Sequence, residues 1–133
     1  MKYNCIIVDD EPLAIEVIKS HTDSLGIFNV VAECRNAIEA FHALKSAKVD
    51  LMFLDIQMPG MKGTDFLRTL VDPPKVILTT AFRDYAIEGF ELNVVDYLLK
   101  PVTYNLDIHK ENSILGYPTK TKIIPEILDT LGN

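Results

Sequence analysis

The fold is decided by three short apolar runs: Ile6-Ile7-Val8 before Asp9-Asp10, Leu51-Met52-Phe53-Leu54 before Asp55, and Val95-Asp96-Tyr97-Leu98-Leu99 before Lys100-Pro101. Each run is rich in strand-forming residues, so each is predicted to be a buried parallel β-strand. Each places its charge at or just beyond the carboxyl end of the strand, the edge of an open parallel sheet where ligands bind. Three carboxylates and one ammonium group at one edge are typical of a site that binds a divalent cation and handles a phosphoryl group.

Composition limits the classes of protein that the chain can belong to. A length of 133 residues suits one domain. The net charge of -6 disfavours contact with nucleic acid. No two lysine or arginine residues are adjacent, so no local basic patch is predicted to overcome this repulsion. Cys5 and Cys34 lie in apolar runs without metal-ligand spacing, so both are predicted to be buried thiols. The amino terminus has no signal-peptide pattern and no run approaches the length of a membrane span. We therefore expect a cytoplasmic protein that does not enter a membrane.

Strand and helix patterns alternate along the chain. The strands are predicted at residues 3–8, 28–34, 50–54, 75–79 and 95–99, and the helices begin at Pro12, begin after Asn36, and span about 63–71 and 84–91. This alternation predicts an α/β fold, a flavodoxin-like doubly wound five-stranded parallel sheet in the order 2-1-3-4-5, with helices on both faces.

Helical periodicity predicts which side chains share a face in the first two helices. In the first helix, one stripe holds Leu13, Val17 and His21, with Ile15 and Ile18 beside it. In the second helix, Asn36 is the expected amino-terminal cap, and the shared face holds Ala37, Phe41 and Leu44.

The predicted topology brings the charged residues together. In the 2-1-3-4-5 order the first and third strands are neighbours, so Asp9, Asp10 and Asp55 meet at the crevice where the winding reverses. Carboxylates about 5 Å apart repel by roughly 3 kcal/mol per pair at an effective dielectric constant near 20. A cation with a preference for oxygen ligands, such as Mg²⁺, relieves this repulsion. Lys100 and the hydroxyl of Thr80 can then contact the oxygens of an incoming phosphoryl group.

Each of these features has an ordinary explanation when it is taken alone. Paired aspartates after a strand are common, a lysine at a strand end is usually a solvated charge, and the pair Thr79-Thr80 is ordinary strand composition. Their occurrence together, in order and with strand–helix spacing between them, is much more specific.

The chain resembles the receiver domain of two-component response regulators from Met1 to about Pro101. The matching segments are Ile6-Ile7-Val8-Asp9-Asp10-Glu11, Leu54-Asp55-Ile56-Gln57-Met58-Pro59-Gly60-Met61-Lys62-Gly63, Thr79-Thr80-Ala81 and Asp96-Tyr97-Leu98-Leu99-Lys100-Pro101. The sequence Asp10-Glu11-Pro12-Leu13-Ala14, followed later by Thr80-Ala81-Phe82 and Tyr85-Ala86, is similar to that of the LytTR-type subgroup. We expect a receiver domain over residues 1–116 and an atypical tail over 117–133 that includes a candidate short helix.

The resemblance implies roles that residue patterns alone do not assign. Asp55 is the phosphate acceptor and takes its phosphoryl group from the phosphohistidine of a sensor histidine kinase. Asp10 and Asp55 bind Mg²⁺ directly with the backbone carbonyl of Gln57, while Asp9 acts mainly through water. From residue patterns alone, either Asp10 or Asp55 could be the acceptor.

The resemblance also implies how the phosphoryl group is read. Thr80 bonds the phosphoryl group, Lys100 pairs with it, and Tyr97 is the switch aromatic that moves inward with Thr80. The face built by the fourth helix and the fifth strand is the family's usual output surface and is the candidate contact for a homodimer.

The expected function is a signalling switch that regulates a downstream output, transcription in the full-length protein, and not a metabolic enzyme. One alternative is a small Mg²⁺-dependent phosphohydrolase that forms an aspartyl phosphate, although such enzymes usually need a cap or longer loops. A flavodoxin-like cofactor binder is disfavoured because Asp9-Asp10-Glu11 would repel a phosphate after the first strand. LytTR-type regulators usually continue into a DNA-binding domain. This chain is therefore either an excised receiver or a regulator that acts through protein contacts alone, with no nucleic acid bound by the chain itself.

Overall fold

The computed structural model of the protein describes residues 2–80 and 96–99. Five strands and three helices alternate within these residues: β1 (Tyr3–Val8), α1 (Pro12–Leu25), β2 (Phe28–Cys34), α2 (Ala37–Ser46), β3 (Leu51–Asp55), α3 (Gly63–Thr69), β4 (Lys75–Thr80) and β5 (Asp96–Leu99). The helix predicted at 84–91 and the tail at 117–133 lie outside the described residues. No helix in the described part of the chain is both long and apolar enough to cross a bilayer.

The five strands form one parallel sheet in the order β2-β1-β3-β4-β5, as predicted. β1 therefore lies between β2 and β3, and the winding reverses between β1 and β3. Val8 pairs with Leu54 and Asp55 pairs with Thr79. These registers align the carboxyl ends of β1, β3 and β4 at one edge of the sheet, which we call the carboxyl edge.

The sheet separates two hydrophobic cores, because successive side chains of a strand point to opposite faces. The α1-side core packs strand residues such as Ile7, Phe53 and Ile77 against Ile15 and Ile18 of α1. The opposite core packs alternate strand residues against helical residues from α2 and α3; its buried members include Ile6, Val8, Met52, Leu54, Val76, Leu78, Ala40, Phe66 and Leu67. β3 is buried along its whole length, as expected for a central parallel strand covered on both faces.

Local signals in the sequence place the ends of the first two helices. Pro12 occupies the start of α1, where its missing N–H is no loss, and Gly26 ends the helix at a φ of 73°. Asn36 caps α2 by accepting a hydrogen bond from the backbone N–H of Glu39 at 2.9 Å. The Glu39 side chain accepts a hydrogen bond from the backbone N–H of Arg35, the residue before the cap, at 2.9 Å, which holds the chain as it enters the helix.

The predicted helix faces are confirmed only in part. In α1, Ile15, Ile18 and His21 are buried, but Leu13 is 74% exposed. In α2, Ala40 is fully buried while Phe41 is 43% exposed, with the ammonium group of Lys45 4.6 Å from its ring centroid. Periodicity predicts which side chains of a helix lie on the same face. Whether each of those side chains is buried depends on where the helix extends past the elements that it packs against.

The β3–α3 loop folds back tightly onto the end of β3. The backbone N–H of Gly63 donates to the carbonyl of Ile56 at 2.7 Å, and the side chain of Met58 is buried in the core on the α2–α3 face. A Cβ atom at Gly63 would overlap the backbone carbonyl of Asp55. The first turn of α3 therefore lies so close to β3 that only a glycine fits at position 63.

Gly63→Ala is expected to destabilise the fold, because the added methyl group meets backbone rather than a side chain that can move. We expect the free energy of unfolding to fall by about 3 kcal/mol or more, the upper range for overpacking. Urea unfolding of the whole chain measures this loss.

The matched control is Gly26→Ala. Its Cβ would meet no atom within 4 Å, so only the positive φ of 73° is strained. That variant should lose about 1–2 kcal/mol. Equal losses for the two alanine variants would show that the contact at Gly63 is unimportant.

Candidate functional site

The strand ladder positions Asp9 and Asp55 at the carboxyl edge. The backbone N–H of Asp9 donates to the carbonyl of Cys34 at 2.9 Å, which extends the β1–β2 pairing by one residue. The backbone N–H of Ile56 donates to the carbonyl of Thr79 at 3.0 Å, which holds Asp55 against β4. Backbone hydrogen bonds, rather than attraction between side chains, bring these two residues to the site.

Asp9, Asp10 and Asp55 form a carboxylate cluster, as predicted. One oxygen from each lies within 4.8 Å of the others. Asp9 is fully buried and Asp55 is 2% exposed, while Asp10 is half-buried. The cluster is therefore shielded from water on the strand side and reachable through Asp10.

Two of the three carboxylates also organise the loops beside them. Asp9 Oδ1 accepts a hydrogen bond from the backbone N–H of Glu11 at 3.0 Å, at the start of α1. Asp55 Oδ1 accepts from the backbone N–H of Gln57 at 3.3 Å. The Oδ2 atoms of both residues are shielded from solvent. Each aspartate thus anchors a turn with one oxygen and keeps its second oxygen in the dry part of the cluster.

The electrostatics of the cluster favour a hard cation. At a separation near 4.8 Å, two carboxylates repel by about 3 kcal/mol at an effective dielectric constant of 20. Three oxygen donors at this spacing, with no sulfur or imidazole among them, suit Mg²⁺ or Ca²⁺ better than zinc. The residues present therefore fit a divalent cation of the kind predicted.

The remaining predicted site residues are placed in part. Thr80 ends β4 and is buried, next to the strand that contributes Asp55. The backbone of Gln57 lies in the Asp55 turn, and its side chain is exposed. Tyr97 lies in β5 with its backbone paired to Leu78. Lys100 lies outside the described residues, so the structure does not test whether it reaches the cluster.

Two further residues beside the site had no role predicted from the sequence. Arg35 Nη2 donates to the backbone carbonyl of Asp10 at 3.4 Å, which links the β2–α2 loop to the cluster. Thr79 pairs directly with Asp55 in the sheet and is 1% exposed. Register could have suggested Thr79, because the residue opposite a site aspartate shares its face. Nothing in the sequence pattern indicated Arg35.

Two buried thiols and one lysine of the described residues have shifted pKa values. Burial raises the pKa of the Cys5 thiol to about 12, with a further contribution from the negative charge of Asp23. Burial likewise raises the pKa of Cys34 to about 11, assisted by Glu39. Hydrogen bonding and charge from Glu33 raise the pKa of Lys19, whose ammonium lies 3.0 Å from that carboxylate. The two thiols are buried and uncharged at neutral pH, as predicted for structural cysteines.

Comparison with known proteins identifies the family. Residues 5–110 match the family described as the response regulator receiver domain. The transcriptional regulatory protein BtsR of Salmonella typhi is 44% identical over 100 residues, which cover 73% of this chain and 41% of that protein. The chain therefore belongs to the response regulator receiver domain family. It spans about two fifths of the length of the curated relative it matches.

Solved structures agree with the fold. The response regulator TrrA from Thermotoga maritima, solved in complex with Mg²⁺ and BeF, is 30% identical, with a TM-score of 0.68 over 86% of this chain and 98% of that chain. The isolated receiver domain of RcsB from Salmonella enterica serovar Typhimurium, solved with phosphomimetic BeF3⁻, is 22% identical, with a TM-score of 0.72 over 87% of this chain and 89% of that chain. The flavodoxin-like α/β prediction is confirmed by this likeness and by the strand order.

The raised thiol pKa values predict a loss of stability in alkali. An unfolded cysteine ionises near its ordinary value of 9.0, while Cys5 in the folded chain holds its proton until about pH 12. The unfolded state therefore binds fewer protons across this interval, and stability falls as the pH rises. Each such group contributes a slope of at most about 1.4 kcal/mol per pH unit.

Urea unfolding under reducing conditions, from about pH 8 to about pH 11, measures this slope. Because tyrosines and lysines also titrate there, the informative quantity is the difference between the wild-type chain and Cys5→Ala. The variant should be less stable at neutral pH but should lose stability less steeply in alkali. Parallel curves would contradict the assignment of a buried, uncharged thiol.

Proposed function

We propose that this chain is a phosphorylation-driven signalling switch in which Asp55 accepts a phosphoryl group from the phosphohistidine of a sensor histidine kinase in a Mg²⁺-dependent reaction. The single observation that carries the proposal is the carboxylate cluster of Asp9, Asp10 and Asp55 at the carboxyl edge of a receiver-family sheet. The chain acts on itself in this scheme and is not a metabolic enzyme.

The cluster supplies the ligands for the cation. Asp10 and Asp55 would bind Mg²⁺ directly with the backbone carbonyl of Gln57, and Asp9 would act through water. The spacing of the carboxylate oxygens and the position of Gln57 in the Asp55 turn support this assignment. The bound cation would neutralise charge on the phosphoryl oxygens and on the cluster.

The transfer step needs positioning more than covalent help from the protein. An oxygen of the Asp55 carboxylate forms a new bond to phosphorus while the phosphorus–nitrogen bond of the phosphohistidine breaks. The bonding electron pair returns to the imidazole nitrogen, which takes up a proton from water. Thr80 and Lys100 are proposed to contact the phosphoryl oxygens, as hydroxyl donor and positive charge.

The modified aspartate then changes the balance between two conformations. The aspartyl phosphate carries nearly two negative charges on its phosphoryl oxygens, which attract Thr80 and Lys100. Tyr97 is proposed to move inward as Thr80 is drawn toward the phosphoryl group. A shift from 1:99 to 99:1 requires about 5.5 kcal/mol of differential interaction, a range that a few charge-assisted hydrogen bonds can reach.

The proposal extends to the longer protein only through its relatives. Since BtsR is described as a transcriptional regulatory protein, we propose transcription as the regulated output. The boundaries 1–116 for the receiver and 117–133 for the tail, the homodimer face of the fourth helix and β5, and the LytTR-type subgroup also stay predictions. The subgroup is proposed only on the sequence motifs at Asp10–Ala14 and Thr80–Ala86.

Incubation with acetyl phosphate and Mg²⁺ is expected to add one phosphoryl group to the wild-type chain, seen by intact mass. Asp55→Asn should gain none, because an amide cannot form the acyl phosphate. Asp65→Asn is the matched control, since this exposed α3 residue pairs with Arg68 and lies outside the cluster. Phosphoryl gain by the Asp55 variant would rule out the assigned acceptor.

Mg²⁺ is expected to raise the thermal stability of the wild-type chain, because binding to the folded state alone shifts the unfolding equilibrium. Asp10→Asn removes one proposed ligand and should weaken the Mg²⁺ affinity at least about tenfold. The same substitution should stabilise the metal-free chain, since it removes one repulsive charge.

Titration calorimetry measures the affinity, and melting curves with and without a chelator measure the stability. Asp72→Asn provides a control with an equal change in net charge at an exposed loop position. If both variants shift the metal-free stability equally, the effect reflects net charge and not the cluster.

A further inference from the structure

Two buried threonines carry hydroxyl groups without a hydrogen-bond partner in the described part of the chain. Thr64 in the first turn of α3 is fully buried, and Thr79 in β4 is 1% exposed. A buried hydroxyl that makes no hydrogen bond destabilises the folded state, and native proteins contain few of them. A valine of nearly equal shape would avoid the loss. Such a loss is recovered only where the hydroxyl meets an acceptor in another state of the molecule, and the surroundings of each threonine decide whether one is near.

Thr79 lies directly beside the proposed phosphate acceptor. It is the register partner of Asp55 on the neighbouring strand. Phe53 and Ile77 both belong to the α1-side core, so by alternation Asp55 and Thr79 share that face of the sheet. Thr80 is the next residue along and points to the opposite face, so the two hydroxyl groups cannot replace one another.

The backbone of Thr79 is fixed in the sheet, so its hydroxyl can move only by rotation of the side chain. Its carbonyl accepts a hydrogen bond from the N–H of Ile56 at 3.0 Å, so the strand position is held. Neighbouring strands lie about 4.8 Å apart, and rotation about the Cα–Cβ bond moves a threonine hydroxyl between staggered positions. One such rotation is enough to change which atoms the hydroxyl of Thr79 faces.

We propose that Thr79 is a positioning residue of the phosphorylated state, whose hydroxyl donates a hydrogen bond to a phosphoryl oxygen on Asp55 once that residue carries the phosphoryl group. This inference rests on the proposed function of Asp55 and adds a second hydroxyl to that of Thr80. The hydroxyl takes no part in bond making. It holds the aspartyl group in one orientation from the side of the sheet that faces α1.

The state dependence follows from the unsatisfied hydroxyl. In the unmodified chain the hydroxyl of Thr79 makes no hydrogen bond within the described residues, which disfavours that state. Attachment of a phosphoryl group places negatively charged phosphoryl oxygens beside Asp55, and these are acceptors that the unmodified side chain does not have. The free energy lost in the unmodified state is thus recovered in the modified one, and Thr79 shifts the equilibrium toward phosphorylation.

The test compares the Mg²⁺-dependent affinity for BeF3⁻ of the wild-type 133-residue chain and its Thr79→Val variant. Titration calorimetry should show a loss of about fivefold to tenfold, the effect of one net hydrogen bond. The melting temperature without ligand should be equal or higher, because a methyl group replaces the unsatisfied hydroxyl. Loss of affinity without loss of stability separates positioning from a packing role.

Thr79→Ser should restore the affinity to within about twofold of wild type, because it keeps the donor. Thr64→Val is the matched control: it removes the other unsatisfied buried hydroxyl and should leave the affinity unchanged. If Thr79→Val does not fold, Thr79→Ala takes its place with the same expected loss.

Three results would overturn the inference. They are wild-type affinity in the valine or alanine variant, an equal loss in Thr64→Val, or failure of Thr79→Ser to restore binding. A wild-type chain that binds no BeF3⁻ would instead refute the proposed function, and the inference with it. The two failures are distinguishable because only the first leaves wild-type binding intact.

Discussion

The constraint on which the site depends is that strand pairing holds three carboxylates together against their mutual repulsion. Asp9 and Asp55 are carried to the carboxyl edge by strand pairing, and their oxygens lie within 4.8 Å of each other and of an Asp10 oxygen. No side-chain attraction could assemble such a cluster. The two hydrophobic cores hold the strands in register and so offset the repulsion. A divalent cation bound at this edge would relieve the repulsion.

Alternation along the strands makes the site continuous with both cores. Asp9, Asp55 and Thr79 extend the face that packs against α1, whereas Val8, Leu54 and Thr80 belong to the face toward α2 and α3. The residues around Asp55 therefore belong to both layers of the domain. Gly63 brings α3 close to the site, because the first turn of this helix lies against the backbone carbonyl of Asp55. A displacement of the Asp55 backbone toward α3 would therefore require the helix to move with it.

The sequence was sufficient for the parts of the molecule that repeat a local rule. Short apolar runs predicted the strands, the proline and asparagine signals predicted the helix starts, and topology then predicted the carboxylate cluster. The sequence was insufficient where burial of a side chain, or a close contact, depends on packing between distant parts of the chain. The exposure of Leu13 and Phe41, the contact of Gly63 with Asp55, and the bond from Arg35 to Asp10 all depend on elements distant in sequence. Periodicity defines a helix face but not what lies over it.

Asp50 and Asp55 lie at opposite ends of β3 and make different kinds of contact. The sequence placed the third strand at 50–54, one residue earlier than the observed Leu51–Asp55. Asp50 therefore precedes the strand. Its carboxylate accepts from the backbone N–H of Asn4 at 2.8 Å, and its own N–H donates to the Asn4 carbonyl at 2.8 Å.

Asp55 instead ends the strand inside the sheet, buried among like charges. One aspartate thus fixes the amino edge of the sheet through hydrogen bonds to the backbone, and another contributes to the carboxylate cluster at the carboxyl edge. Because the bonds of Asp50 hold the start of β1 beside β3, they help to keep Asp9 and Asp55 together at the opposite edge.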